Sequence, residues 1–510
     1  MRTLQLVGIC FLILSAGTLA APQSVQVKAE DKARPLSPEF FGFNVNATRG
    51  PALSDPRLLA VLKDLRPSLL RYPGGQVSNY WEWRRGWFVD DREALLDARQ
   101  GYRIIPVLPA KLENLKQATE VAGARPVWSL NMLTSGLEEQ LEMLRSARVL
   151  GLDVKYVELG NEFYLASPSL YVKKFPTAKD YALESSRWIA ALKKEFPGVR
   201  VAVVGGSYRP PGRRSEDETR RRNSWSSEVI RNVQGADALT IHIYVGSALA
   251  VQEDAGAGAD PEAGGRGMTG SDAQRRAQAA ALQAPGGVSR FLSGPFRIMR
   301  TEREHNLKQL PAEMKCWVTE YNLFDRVGAV HTTWAHGLHS ALMTCLLLDE
   351  PQVELACFHQ LVGSVAFCAM FAGREVEEGK QPATGTLAAS GAALRFISNA
   401  LRGMNSARRL VFEPCPQVSA PNRETYPALL GWLVTDGRAS QAVILNLSER
   451  EFTINPRRIL PGGVFQQLHA APTQKVFSPQ DVSQQEGALA DTLTLPPYSL
   501  TRLLTQGNGG

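Results

Sequence analysis

The chain of 510 residues contains 57 Lys and Arg residues and 50 Asp and Glu residues, which gives a formal net charge of +7. Hydrophobic residues make up 44% and charged residues 21%, a balance that excludes wholesale disorder, a collagen-like repeat and a small disulfide-stabilised protein. Because the excess charge is spread over a long chain and forms no clustered basic stripe, we expect no nucleic-acid partner. The length is sufficient for one large domain and a smaller one.

The N-terminus has the pattern of a secretory signal peptide. Arg2 precedes an apolar run from Leu6 to Leu14, and small residues follow near Ala20. The run is too short to span a bilayer comfortably, so we predict cleavage of residues 1–20 rather than an uncleaved anchor. The mature protein is then secreted or periplasmic, without membrane association. It keeps five cysteines that lack Cys-x-x-Cys metal spacing, and we expect most of them to lie in the core.

Between residues 40 and 402, short apolar runs alternate with amphipathic segments. The runs predicted to be strands are Phe40–Asn46, Ser68–Tyr72, Pro126–Asn131, Val154–Leu159, Arg200–Val204, Ala238–Tyr244, Lys315–Glu320 and Val353–His359. The helix-like segments include Leu137–Leu150, Ala178–Glu195, Val288–Leu307, Thr332–Leu348 and Thr386–Leu401. Eight alternating units predict an α/β fold, and a closed (β/α)8 TIM barrel explains them better than an open sheet does.

The pattern changes after residue 403, where short β-rich runs are separated by turn residues. These runs are Leu429–Thr435, Gln441–Asn446, Thr492–Leu495 and Ser499–Leu504. They predict a β-sandwich domain over residues 403–510, and the segment 21–39 is predicted to join it. Residues 205–223 and 246–287 read as insertions in βα-loops of the barrel. An insertion as long as the second is typical of a lid or of a disordered segment.

Polar residues stand at the carboxyl ends of the predicted strands. Strand four is followed by Asn161 and Glu162, and strand seven ends at Glu320. Because such ends converge on one cavity, the two carboxylates can face each other across it. Glycoside hydrolysis uses such a pair, about 5–5.5 Å apart in retaining enzymes. Arg71 and Tyr244 are predicted to keep Glu320 ionised, and Asn161 to bind a sugar hydroxyl.

The order and strand positions of several motifs together resemble the α-L-arabinofuranosidases of glycoside hydrolase family 51, in clan A. These motifs are Leu70–Gly75, Ser78–Trp83, Gly160–Glu162, His242–Tyr244, Glu320–Asn322 and Gln360–Val362. The resemblance covers nearly the whole mature chain. It implies a retaining mechanism in which Glu162 is the acid/base and Glu320 the nucleophile, without a metal or organic cofactor.

The same resemblance implies which residues surround the sugar. The expected substrate-binding residues are Arg71, Asn131, Asn161, His242, Tyr244 and Gln360. His242 has the alternative of lining the barrel without touching substrate. The sequence departs from the family pattern at Asn46, where a Glu is usual at the end of strand one, and at Tyr321, where a Trp is usual. These departures bear on the identity of the sugar.

The sequence therefore predicts a secreted retaining glycosidase that acts on an oligo- or polysaccharide, as an α-L-arabinofuranosidase on polysaccharide side chains. One alternative is a related clan A β-xylosidase or β-glucuronidase. The Arg-rich run at Arg213–Arg222 could serve an acidic sugar, but five Arg against three acidic residues give a net charge of only +2, which favours a solvated loop. An alternative of another class is a non-catalytic carbohydrate-binding barrel protein. His331, His336 and His339 share one predicted helix, but their spacing and the lack of a carboxylate cluster argue against a metal site.

Overall fold

The computed structural model describes residues 22–48, 50–97, 108–209, 215–249, 270–325, 327–363, 367–373 and 379–505. The predicted signal peptide, residues 1–20, lies outside these ranges. Within them, no helix has both the length and the apolar composition that crossing a membrane requires. Four of the cysteines are buried (Cys316, Cys345, Cys357 and Cys368), as expected, and Cys415 is exposed.

Eight parallel strands form a closed barrel, in which each strand pairs with the next and the eighth pairs with the first. They are β1 (Phe41–Asn44), β2 (Leu69–Tyr72), β3 (Arg125–Ser129), β4 (Tyr156–Leu159), β5 (Arg200–Val204), β6 (Ala238–Gly246), β7 (Lys315–Phe324) and β8 (Val353–Phe358). This arrangement confirms the predicted (β/α)8 barrel.

Helices connect the strands and cover the outside of the barrel. They are α1 (Pro56–Leu65), α2 (Arg92–Asp97), α3 (Leu112–Ala122), α4 (Leu137–Val149), α5 (Ser169–Lys174), α6 (Ala178–Glu195), α7 (Glu216–Asn232), α8 (Asp272–Gln283), α9 (Gly287–His305), α10 (Trp334–Leu348) and α11 (Ala389–Leu401). In α6, Thr177 forms a capping box with Asp180. The buried residues Tyr181, Trp188 and Leu192 then recur at helical spacing on the face that packs inward.

The two predicted insertions contain more regular structure than we expected. Helix α7 begins at Glu216, within the segment 205–223, because Ser215 caps it and three acidic residues follow in its first turn. Helix α8 occupies the end of the segment 246–287, where Ser271 and Gln274 form a capping box. Residues 210–214 and 250–269 lie outside the described ranges, so the expectation of a lid or a disordered segment remains a prediction for the second insertion.

The C-terminal part of the chain is a β-sandwich, as predicted. Its large antiparallel sheet consists, in spatial order, of Gln26–Ala29, Ser406–Glu413, Leu429–Thr435, Ser440–Asn446, Ser499–Leu504, Val464–His469 and Ser483–Ala488. A three-stranded sheet of Gln23–Ser24, Phe452–Ile454 and Leu493–Leu495 packs against it. The N-terminal strand Gln26–Ala29 thus pairs with a strand that lies nearly 400 positions later.

The interior of the barrel has an apolar layer below a polar one. The apolar layer consists of Leu69, Val127, Tyr156, Ala202, Ala238, Trp317, Leu355 and Cys357. Because side chains alternate along a strand, the residue two positions further on also points inward. Arg71 follows Leu69 in this way, and Glu158 follows Tyr156; both are completely buried. The apolar layer therefore lies directly beneath a group of charged side chains.

A β-bulge in β7 changes this alternation where the polar layer begins. In the pairing with β6, Trp317 lies opposite Thr240 and Glu320 lies opposite His242. Over this interval β7 therefore contains one residue more than β6. The register with β8 shifts in the same interval, between Val318 and Tyr321. The extra residue allows the consecutive side chains of Thr319 and Glu320 both to reach into the barrel.

Candidate active site

Glu320 is held at the end of the polar layer by donors from three other strands. Its Oε1 accepts hydrogen bonds from Arg71 Nη1 at 2.5 Å and from Asn44 Nδ2 at 2.8 Å. Its Oε2 accepts a hydrogen bond from the Tyr244 hydroxyl at 2.6 Å. Glu320 is completely buried, and these donors, one of them positively charged, stabilise its ionised form.

Arg71 bridges the carboxylates of Glu158 and Glu320, just above the apolar layer. Besides Glu320, its guanidinium donates to Glu158 Oε2 at 2.7 Å through Nε and to Asn161 Oδ1 at 2.7 Å through Nη2. The planar guanidinium can serve three acceptors in fixed directions. It therefore fixes the ends of β2, β4 and β7 relative to one another.

Glu162 lies on the opposite side of the cavity, in the loop after β4. Its backbone has φ of 52°, a left-handed conformation, and Gly160 before it has φ of 83°. A glutamate in this conformation is strained, which is typical of functional positions. Its Oε1 accepts a hydrogen bond from the Tyr164 hydroxyl and contacts His242 Nδ1 at 2.9 Å.

His242 lies between the two predicted catalytic carboxylates. Its Nδ1 is 2.9 Å from Glu162 Oε1 and 3.8 Å from Glu320 Oε2. Burial lowers the pKa of His242, but the charge of Glu320 and the hydrogen bond to Glu162 outweigh burial, so that the pKa is raised above 6.5. One imidazole nitrogen thus contacts one carboxylate and lies close to the other.

The other predicted site residues have different positions. Asn161 lies beside Arg71. Asn131, in contrast, donates through Nδ2 to Trp81 O in the loop after β2 and to Thr134 Oγ1, and its Oδ1 accepts from Thr134 N. Asn46 lies two residues beyond the end of β1, has φ of 47° and accepts a hydrogen bond from Thr48. The substrate-binding roles of these residues remain predictions.

Three buried amide atoms near the carboxylates make no hydrogen bond to another residue in the described ranges. They are Asn44 Oδ1, Asn161 Nδ2 and Gln360 Oε1. Buried polar atoms are nearly always paired in folded proteins. Two of these atoms are acceptors and one is a donor, and a polyhydroxylated ligand offers partners of both kinds.

Glycines allow the loop after β2 to approach the cavity closely. Gly74 has φ of 100°, and a Cβ there would overlap Asn44 Oδ1. Gly75 has φ of 45°, and a Cβ there would lie 3.3 Å from Glu320 Oε1. A side chain at either position would displace the groups that bind Glu320.

Arg221 and Arg222 of the Arg-rich run, and the unusual Tyr321, make contacts with protein groups. Arg221 donates to the backbone carbonyls of Phe163, Phe175 and Pro176, so it closes a turn. Arg222 donates to Ser207 and lies over the ring of Tyr164. The Tyr321 hydroxyl is 2.6 Å from Thr344 in α10. Arg221 and Arg222 are thus engaged by other groups of the protein, and Arg213 and Arg214 lie outside the described ranges.

The described residues contain no group of His, Cys, Asp and Glu side chains that could hold a metal ion. The three histidines on or next to α10 are buried, and burial lowers the pKa of His339 to about 3. His336 contacts Asn322 at 2.9 Å, and Asn322 in turn donates to the carbonyl of His359. These histidines therefore belong to the packing behind β7 and β8.

Sequence reasoning missed five residues of the site: Glu158, Asn44, Tyr164, Thr319 and His359. His359 Nδ1 is 2.8 Å from Asn44 Nδ2 and 3.4 Å from Glu320 Oε2. Strand alternation could have revealed two of the others, because Asn44 stands two positions before Asn46 and Glu158 interrupts an apolar strand. Alternation also points Thr319 inward, because it stands two positions after Trp317, whereas the inward position of Glu320 beside it depends on the bulge.

The sequence matches no family model and no curated protein at a significant level. The structure, however, is similar to many solved structures. A family 51 α-L-arabinofuranosidase from Bifidobacterium longum superposes with a TM-score of 0.65 at 16% identity, covering 96% of this chain and 100% of the other. An α-L-arabinofuranosidase from Thermotoga maritima, solved with arabinose, gives 0.62 at 17% identity, with coverages of 94% and 100%.

A 4-O-α-L-rhamnosyl-β-D-glucuronidase from Fusarium oxysporum is also similar, with a TM-score of 0.55 at 14% identity. It covers 95% of this chain and 100% of its own. At these identities the similarity concerns the three-dimensional fold over almost the full length of each chain. The predicted resemblance to family 51 is therefore confirmed at the level of the fold, a (β/α)8 barrel with a β-sandwich.

Proposed function

We propose that this protein is a retaining glycosidase, with Glu320 as the nucleophile and Glu162 as the acid/base. The observation that carries the proposal is the placement of both carboxylates around His242 Nδ1. A retaining pair is separated by about 5–5.5 Å and an inverting pair by about 6.5–9.5 Å. A single nitrogen close to both carboxylates favours the shorter separation.

The environments of the two carboxylates support the division of roles. Glu320 has an arginine, an amide and a phenol as donors, and so suits the group that must be ionised to attack the anomeric carbon. Glu162 contacts Tyr164 and His242, both of which can exchange a proton. It therefore suits the group that protonates the leaving oxygen and then activates water.

As the substrate we propose the α-L-arabinofuranosyl side chains of a polysaccharide, in agreement with the two arabinofuranosidases of similar fold. A β-xyloside and a β-glucuronide are the alternatives. The glucuronide is the weaker alternative. A sugar carboxylate needs a cation, and Arg71 is already paired with Glu158 and Glu320. Export through the predicted signal peptide belongs to the same proposal, and the mature chain is expected to begin at Ala21.

The test is hydrolysis of aryl α-L-arabinofuranosides, β-xylosides, β-glucuronides and β-galactosides by the purified mature chain. We expect the arabinofuranoside to be cleaved fastest, with retention of configuration in the product by NMR. Glu162→Ala should lose activity mainly toward poor leaving groups and regain it with azide. Binding of these sugars without hydrolysis of any would instead favour a carbohydrate-binding protein.

A further inference from the structure

We propose that Glu158 and Thr319 are positioning residues that fix the tautomer of His242, with a proton on Nε2. As a consequence, Nδ1 of His242 and the carboxyl group of Glu162 share one further proton. The proposal deepens the proposed function, on which its catalytic consequence rests. The tautomer itself follows from the hydrogen bonds alone.

The direction of each hydrogen bond follows from the salt bridge between Arg71 and Glu158. Arg71 donates to one oxygen of Glu158 at 2.7 Å, so this carboxylate is ionised and can only accept. Its other oxygen lies 3.0 Å from Thr319 Oγ1, which must therefore donate. Since a hydroxyl has a single hydrogen, the Thr319 oxygen accepts at its remaining contact. That contact is His242 Nε2 at 3.1 Å, so Nε2 carries a proton.

The other ring nitrogen, Nδ1, contacts Glu162, and its protonation determines whether the two groups attract or repel each other. A lone pair on Nδ1 and an ionised oxygen of Glu162 would repel each other at 2.9 Å. A proton between them removes the repulsion, either as imidazolium with carboxylate or as imidazole with carboxylic acid. The Tyr164 hydroxyl donates to the same oxygen and supports the first form.

The charges around this pair also favour retention of the shared proton. The titratable and charged groups that surround His242 are Arg71, Glu158, Glu162, Tyr164, Tyr244, Glu320 and His359. Three carboxylates against one arginine leave this buried group with excess negative charge. A proton on the His242–Glu162 pair reduces that excess.

The shared proton has a defined path in a double displacement. In the first step Glu320 bonds to the anomeric carbon, the glycosidic bond breaks, and the shared proton leaves on the aglycone oxygen. The pair is then a carboxylate beside a neutral imidazole. In the second step water attacks the same carbon, the bond to Glu320 breaks, and a proton of the water returns to the pair. No oxidant, reductant or co-reactant is needed.

The first experiment measures the tautomer directly, by long-range ¹H–¹⁵N NMR of protein labelled with ¹⁵N-histidine. The His242 signals are assigned with His242→Asn. At a pH high enough for the His242 ring to be neutral, we expect Nε2–H in the wild type, the same in Thr319→Ser, and loss of this preference in Thr319→Val. In Glu158→Gln the side-chain amide would donate to Thr319, whose hydroxyl would then donate to Nε2, so we expect the Nδ1–H tautomer.

The second experiment measures kcat/KM against pH on the best aryl glycoside. Thr319→Val should move the basic limb down by about 0.5–1 pH unit and lower the maximum about tenfold, whereas Thr319→Ser should retain the wild-type profile. A Nδ1–H tautomer in the wild type, or unchanged tautomer and profile in Thr319→Val, would overturn the proposal. If the wild type cleaves no glycoside, the proposed function fails, but the NMR result still decides the tautomer.

Discussion

The two sides of the cavity hold their carboxylates in different ways. Glu320 belongs to a barrel strand and is bound by side chains of β1, β2 and β6, so its position is part of the rigid scaffold. Glu162 belongs to a loop, has a strained backbone and contacts a phenol and an imidazole. The comparison shows how one cavity can keep one carboxylate ionised by fixed donors while the other exchanges a proton.

The largest expected effect comes from removing the nucleophile. Glu320→Gln keeps the volume of the side chain but removes its charge, so we expect kcat/KM to fall by at least about 10⁴-fold. Glu413→Gln is a matched control, because Glu413 is exposed and pairs only with Lys28 among the described contacts. Wild-type activity in Glu320→Gln would contradict the assignment of the nucleophile, and steady-state kinetics on the best aryl glycoside decide the outcome.

Replacing Arg71 should have the next largest effect, because Arg71 pairs with both Glu158 and Glu320. Arg71→Met leaves Glu158 and Glu320 buried without their cation. We expect a loss of about 3–5 kcal/mol in the free energy of unfolding and a fall of about 10²–10³-fold in kcat/KM. Denaturant unfolding and kinetics measure the two effects, with the exposed Arg57→Met as a control. An unchanged unfolding midpoint would show that the bridge is dispensable.

Two tyrosines provide a direct test of the difference between the two sides. Tyr244→Phe removes a donor from Glu320, and Tyr164→Phe removes one from Glu162. In each variant the ionised carboxylate is less stable, so each group holds its proton to higher pH. We expect Tyr244→Phe to move the acidic limb of the kcat/KM profile up, and Tyr164→Phe to move the basic limb up, each by roughly 0.5–1 pH unit. Movement of the same limb in both variants would refute the division of roles.

The smallest expected effect is on the pH dependence of stability through His242. Its pKa is raised in the folded protein by Glu320 and Glu162 despite burial. Its stabilising contribution is therefore complete below the unfolded pKa of about 6.5 and is lost as pH rises through the folded value. We expect the difference in free energy of unfolding between wild type and His242→Asn to be larger at pH 5.5 than at pH 9. An equal difference at both values would mean that Glu162 and Glu320 do not stabilise the imidazolium.

Much of the fold was predictable because its signals are local. The eight apolar runs of the barrel, the helices α4, α6, α9, α10 and α11, and the turn-rich C-terminal strands all depend on periodicity and capping. The strand Ser483–Ala488 was missed because it is an almost wholly exposed edge strand without apolar alternation. Helix α8 was missed because its Ala- and Gln-rich segment adjoins a long Gly-rich stretch.

The sequence by itself determined that the two carboxylates stand at or just after the predicted ends of β4 and β7, and that Arg71, Asn161, His242 and Tyr244 stand at or just after the predicted ends of β2, β4 and β6. The tertiary structure decided how these side chains contact one another. Alternation from Trp317 points Thr319 inward, and the bulge in β7 turns Glu320 inward beside it, which strict alternation forbids. The tertiary structure also decided that Glu158 pairs with Arg71 and that His242 lies between Glu162 and Glu320. Such contacts join strands that are far apart in the chain, so no local pattern of residues specifies them.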